Sequence, residues 1–292
     1  MKAEQASNTA KVIAASSILL DSDPRTASLV PSGAADLCRV FLSGSRADRI
    51  FAKSASWPPT RTLLRSLERL THPGIIQHYH HRKRWIESRV HDAIGEGFER
   101  LVILGAGFDT LSYRMSRDIP NFEIIELDHP ATQGAKLRAL EQNRIAIPAN
   151  LQFSGLDLSQ EPFPSELCKG AKSTLLVIEG VLMYMSPEIV DQLFESFRKL
   201  EAQRVRVLFS FMTEWPNGKI GFRPSSWLID RWLAWRKEPF DWGLKPGEME
   251  AFLSSLGFVL NELITTPQLA EEYGLGPFRL DGENLVACER KL

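Results

Sequence analysis

Apolar and polar positions divide the chain near residue 97. Before that point the apolar residues recur at helical spacing. Leu63, Leu64, Leu67 and Leu70 form one such set, and Ile75, Ile76 and Tyr79 follow a Pro73-Gly74 break. Trp85, Ile86, Val90 and Ile94 continue the pattern, and Gly95 or Gly97 ends it. No strand is predicted there, so residues 1–97 read as an N-terminal helical lid leading into the first strand. From 98 to 292 short apolar runs alternate with helical ones, the signature of a mostly parallel sheet. Strands are predicted at 101–104, 122–127, 151–154, 174–179, 205–212, 257–264 and 284–289. Ser186-Pro187-Glu188 starts a helix with a cap, a proline at the first position and an acid in the first turn. Pro246 to Leu256 reads as the last helix, closed by Gly257. The connection between the last two strands looks too short and polar for a crossover helix, which predicts that they pair antiparallel. The expectation is an α/β fold: a doubly wound, Rossmann-like, seven-stranded and mostly parallel sheet, with an insertion at 214–245.

One stretch carries chemistry. Leu101 to Leu104 runs into Gly105-Ala106-Gly107, and the second predicted strand ends at Asp128. Gly105 and Gly107 lack a Cβ, so the backbone can turn tightly and approach a ligand. An acid at the tip of the second strand of a βαβ unit is placed to accept hydrogen bonds from ribose hydroxyls. A dinucleotide site wants a third small residue where Thr110 stands, and Asp109 would repel a pyrophosphate at the helix start. S-adenosyl-L-methionine, which carries an ammonium and a sulfonium, fits better than NAD.

Charge and composition narrow the field. The net charge of −1 argues against an electrostatic nucleic-acid footprint. Cys38, Cys168 and Cys288 are far apart and odd in number, which implies no disulfide framework and a reducing, cytoplasmic setting. Val12 to Leu20 slightly resembles a signal segment, but its flank lacks a small-residue cleavage site, and no apolar run approaches spanning length, so no membrane partner is expected. There is no Gly-x-Ser-x-Gly elbow and no P-loop. His78, His80 and His81 lack a spaced carboxylate or cysteine partner and suggest contacts from the lid rather than a metal site. No histidine follows His129, so a base from the C-terminal half would have to be a tyrosine or a carboxylate.

Four motifs in order, over roughly residues 78 to 200, resemble the leucine carboxyl methyltransferase family, which includes bacterial polyketide-type O-methyltransferases. They are Arg82-Lys-Arg84-Trp-Ile-Glu87, Leu-Val-Ile-Leu-Gly105-Ala-Gly-Phe-Asp-Thr-Leu-Ser-Tyr-Arg114, Glu126-Leu-Asp128-His-Pro130-Ala-Thr-Gln133 with Lys136, and Ile178-Glu179-Gly180-Val-Leu-Met-Tyr184. The resemblance implies a class I methyltransferase fold, S-adenosyl-L-methionine as cofactor and S-adenosyl-L-homocysteine as product. It gives Arg82, with Arg84 as rival, the methionine carboxylate, and Asp128 the ribose. Asp157 and Leu158 would meet the adenine edge and face, and Glu179 the ammonium. Tyr184 lines the same pocket, and Tyr184 and His81 are the candidates for a catalytic role. No metal is implied.

The insertion holds Trp215, Trp227, Trp232, Trp235 and Trp242. They are either a packed helical hairpin or an aromatic wall for the acceptor at the carboxyl ends of the strands. The expected function is O-methylation of a hydroxyl or carboxyl of a small apolar or aromatic secondary metabolite. A protein C-terminal carboxylate, a non-catalytic cofactor-binding protein and an NAD-dependent oxidoreductase are the alternatives.

Overall fold

The computed structural model describes residues 6–71, 73–224, 240–274 and 279–291. Among the described residues five α-helices precede the sheet: α1 (Asn8–Asp21), α2 (Ala34–Phe41), α3 (Arg46–Ser56), α4 (Pro58–Thr71) and α5 (Ile75–Gly95). The apolar run near the start lies in α1, which buries Ala14 through Leu20. Of the two candidate stops for α5, Gly97 is the one used. It takes a left-handed φ of 84°, and the amides of Gly97 and Phe98 turn back to the carbonyls of Ile94 and Ala93.

The remaining helices and strands of the described residues are β1 (Arg100–Leu104), α6 (Leu111–Asp118), β2 (Glu123–Asp128), α7 (Pro130–Gln142), β3 (Leu151–Gly155), β4 (Ser173–Ile178), α8 (Pro187–Arg198), β5 (Arg204–Thr213), β6 (Gly243–Leu244), α9 (Met249–Ser255), β7 (Phe258–Ile264), α10 (Thr266–Tyr273) and β8 (Glu283–Arg290). The sheet runs β3-β2-β1-β4-β5-β8-β7, with the short β6 beside β5. Pairs among β1 to β5 are parallel, and β8 is antiparallel to both β5 and β7.

Alternation along β1 explains the layering. Leu101 and Ile103 face a core shared with α1, α2 and α5, while Val102 and Leu104 face one shared with α8 and α9. Side chains at i and i+2 share a face, so a strand buried on both sides must be apolar throughout.

All seven expected strands form, and the antiparallel pairing of the last two holds. Two expectations are corrected. An eighth, two-residue strand adds to β5, and the helix at Pro246 to Leu256 is not the last. Residues 266–273 form α10, opened by a capping box in which Thr265 and Gln268 answer each other's backbone amides. Its Leu269 and Ala270 are buried, so a segment that looked polar contributes to the core.

Candidate cofactor site

The strand order reverses between β1 and β4, and in such sheets ligands bind beyond the carboxyl ends of the strands at that point. A cavity of about 640 Å³ lies there, walled by the β1–α6 turn, the ends of β2 and β4, the start of α5's charged stretch, and α1.

Both glycines of the turn have positive φ, 67° for Gly105 and 55° for Gly107. Their missing Cβ atoms make room for neighbouring protein as well as for a ligand. A Cβ on Gly105 would overlap Val181 Cγ2, and one on Gly107 would stand 2.9 Å from Ala10 Cβ in α1.

Asp128 ends β2 at the cavity wall. Its Oδ2 accepts the Gly107 amide at 2.5 Å and its Oδ1 the His129 amide at 2.7 Å. Burial pushes its pKa up to about 6, against the pull of those two amides. Next to it His129 caps α7 through Nδ1, which accepts the Ala131 amide, and its Nε2 stands 3.7 Å from Asp157. Asp157 and Leu158 line the cavity after β3, and the Asp157 carboxylate holds the Ser159 amide and hydroxyl.

A chain of alternating charge crosses the cavity floor. Lys83 pairs with Asp109 and, at 3.1 Å, with Glu179. Arg82 gives Nε to Glu179 at 2.8 Å and Nη1 to Glu283 at 2.7 Å. Glu283 also meets His78 Nε2 at 2.7 Å. Burial works to raise the Glu283 carboxyl, but the Arg82 charge and the His78 contact outweigh it and hold the pKa at about 2. Burial opposes the Asp109 charge as well, and Lys83 holds that carboxyl well below the ordinary range. The Asp109 charge is therefore answered by Lys83, so the repulsion expected at that helix start does not stand on Asp109 alone. Its Oδ1 instead accepts the Leu111 amide at 2.6 Å and steadies the start of α6.

The structure brings together Arg82, Gly105, Gly107, Asp128, Asp157, Leu158, Glu179 and Tyr184 around one cavity. Arg84 is elsewhere, exposed and 5.0 Å from the centre of the Tyr273 ring. His81 does not line the cavity; it is buried beside Tyr273, and burial, with Arg84 nearby, lowers its pKa to about 4. His80 does line it, lowered by burial to about 3 and hence neutral at pH 7. Among the described residues no cluster of His, Cys, Asp or Glu is arranged to hold a metal ion, and no helix is long and apolar enough to cross a membrane. Trp242 is buried against Phe211 and Phe252 in the core, while Trp227, Trp232 and Trp235 lie outside the described residues.

Sequence reasoning missed Glu283 and Lys83, and it named His78 as a lid contact without its partner Glu283. Lys83 sat inside a quoted motif without a role. Glu283 lies 201 residues from its partner Arg82, and its only local signal was an acid opening an apolar strand.

The donor and acceptor set fits S-adenosyl-L-methionine on a structural ground. Arg82 Nη2 makes no hydrogen bond among the described residues although the guanidinium lines the cavity, which leaves a fork arm for a carboxylate. A Bacillus subtilis protein named, provisionally, as the S-adenosyl-L-methionine-dependent methyltransferase YktD is 33% identical over 111 residues, 37% of this chain and 36% of that protein. A Mycobacterium ulcerans protein of the same provisional description is 31% identical over 156 residues, 52% of this chain and 50% of its own length. The matched stretch thus spans half or less of these relatives. A crystal structure titled as a methyltransferase, also provisionally named, from Thermobifida fusca shares the fold, with a TM-score of 0.56 at 15% identity over 88% of this chain and 94% of that one. The cofactor is S-adenosyl-L-methionine. A family model described as leucine carboxyl methyltransferase matches residues 14–198, and the chain belongs to that family.

Proposed function

We propose that this chain methylates a hydroxyl oxygen of a neutral, planar small molecule. When bound, S-adenosyl-L-methionine supplies an electrophilic methyl group on a sulfonium. Arg82 holds its carboxylate through Nη2, Glu179 its ammonium and Asp128 its ribose hydroxyls. Asp157 and Leu158 meet the adenine edge and face. α1, which contributes Ala10, Ile13 and Ala14 to the wall, is the lid that excludes water.

The balance of charge around the cavity carries the choice of acceptor. Among the described lining residues the Lys and Arg side chains are Arg82, Lys83 and Arg114, and each is already answered by acids, Arg114 by Glu87 at 2.6 Å. Asp128 and Asp241 add further negative charge. An acceptor carboxylate would enter a field of its own sign, whereas a neutral hydroxyl would not. Aromatic rings line one side: Tyr184 and Phe240 have centroids 5.6 Å apart, and Phe240 and Phe222 6.5 Å. Flat acceptors stack on such walls. Tyr184 is the residue placed to hold the acceptor hydroxyl, since His81 faces away and His80 is too weak a base.

Calorimetry with S-adenosyl-L-homocysteine and NAD, followed by labelled methyl transfer to phenols and to aryl carboxylates, tests this reading. Homocysteine-form binding without NAD binding, and transfer to phenols, is expected. Transfer to carboxylates alone would overturn the acceptor assignment, in favour of a carboxyl methyltransferase. Binding with no transfer to either would favour a non-catalytic role.

A further inference from the structure

A surface helix ordinarily turns its apolar stripe to the core and its charges to water. α4 departs from this. Only Leu64 of its leucines packs toward the core, and three polar side chains face the body beside it: Arg61 donates to the Ser22 carbonyl, Arg65 pairs with Asp23 at 2.9 Å, and Glu68 accepts the Ile76 amide at 3.1 Å. Its outer side carries Leu63, Leu67 and Leu70, which are 59%, 48% and 77% exposed and recur at i, i+4 and i+7, with Thr62, Ser66 and Arg69 exposed beside them. No residue of α4 is fully buried. The preceding helix α3 buries Ala52 and Ala55 and presents Arg46, Arg49, Ile50 and Lys53 to solvent, followed at its end by exposed Trp57. The two helices are consecutive and pack on each other.

Charge on this surface has one sign. Between Arg46 and Thr71 the exposed charged side chains are Arg46, Arg49, Lys53 and Arg69. The two acids of the stretch turn inward, Asp48 to Lys11 at 2.9 Å and Glu68 to the Ile76 amide. The whole chain has a net charge of −1, so the cationic sign of this surface is a local excess. A two-fold pairing with a second copy would set these cations against themselves. Protruding leucines, isoleucine and tryptophan on helices that also expose cations suit an interface that is apolar below and anionic above.

We propose that the outer faces of α3 and α4 form a docking surface for an anionic lipid membrane. The chain lies on the membrane without spanning it. Leu63, Leu67, Leu70, Ile50 and Trp57 enter the headgroup boundary, and Arg46, Arg49, Lys53 and Arg69 meet lipid phosphates. A methyltransferase seated there would sample apolar acceptors dissolved in the bilayer.

The test is co-sedimentation of the full chain with vesicles of phosphatidylcholine alone and of phosphatidylcholine with phosphatidylglycerol. Binding to the anionic vesicles, weakened by added salt, is expected. An L63S/L67S/L70S variant should lose at least about tenfold in partitioning, and R49Q/K53Q also about tenfold or more. Neither touches the cavity, so both should keep S-adenosyl-L-homocysteine affinity and melting temperature. Equal binding to neutral vesicles, or no binding to either kind, would overturn the proposal. So would a dimer in sedimentation velocity that the leucine substitutions dissolve, since the covering surface would then be a second copy of the chain.

Discussion

Asp128 gives the cofactor reading its sharpest test, because its carboxyl titrates in an accessible range. Its pKa of about 6 reflects burial, and both oxygens already accept an amide, from Gly107 and His129. Ribose hydroxyls need a charged acceptor, and each such hydrogen bond contributes about 1.5–3 kcal/mol. Bound ribose therefore lowers the pKa, and binding releases protons near pH 6. With a free-state value of about 6, the ionised fraction falls from roughly nine-tenths at pH 7 to one-tenth at pH 5, so affinity for S-adenosyl-L-homocysteine should fall about tenfold, ~1.4 kcal/mol. The same shift has a sign for folding. A carboxyl raised above its unfolded value of 3.8 contributes stability below that pH and loses it as pH rises through about 6. Ionised Asp128 thus costs the ligand-free protein up to about 3 kcal/mol at pH 7. Asp128→Asn should bind more weakly at pH 7, bind with little pH dependence, and melt higher than the parent without ligand. Isothermal titration at pH 5, 6 and 7, in buffers of differing ionisation enthalpy, reads both affinity and proton release. An affinity flat from pH 5 to 7, or an equal slope in Asp128→Asn, would refute the reasoning.

Four further outcomes follow from particular contacts. Arg82→Ala should weaken S-adenosyl-L-methionine binding while sparing adenosine, and should lower the melting temperature because Glu179 and Glu283 lose their shared cation; Arg84→Ala should leave affinity unchanged, and a loss there instead would reverse the assignment. Lys136 and Glu126 pair at 2.7 Å and are almost fully buried, so Lys136→Met should cost about 3–5 kcal/mol in denaturant melts, whereas Lys136→Met with Glu126→Leu should recover much of it. Gly107→Ala places a Cβ 2.9 Å from Ala10 at a φ of 55°, which should lift α1 from the cavity; faster amide exchange across α1 is the expected result, and an unchanged exchange map would show that the contact relaxes freely. Phe240→Ala should raise the Michaelis constant of an aromatic acceptor several-fold and leave that of S-adenosyl-L-methionine alone, whereas equal drift in both would make the ring structural.

The strand, glycine turn and acid were legible in the sequence because one βαβ unit is a local object. Leu101 to Leu104 must be apolar to be buried on both faces, and a short crossover fixes where Asp128 ends relative to Gly105. The same locality gave Ser186-Pro187 as a helix start and the antiparallel final pair. Distance in sequence defeats such reading. Glu283 reaches Arg82 only because β8 lies beside β5 near the switch point, and nothing near either residue announces the partner. α10 was hidden because a polar surface dominates its composition while only two buried apolar residues, Leu269 and Ala270, dock it. Periodicity also reports that a helix has two faces without saying which one turns inward. In α4 four leucines defined the stripe, yet only Leu64 packs on the core, because Asp23, the Ser22 carbonyl and the Ile76 amide claimed the polar side of the helix. Buried polar groups must find partners, and only the tertiary structure decides which ones are within reach.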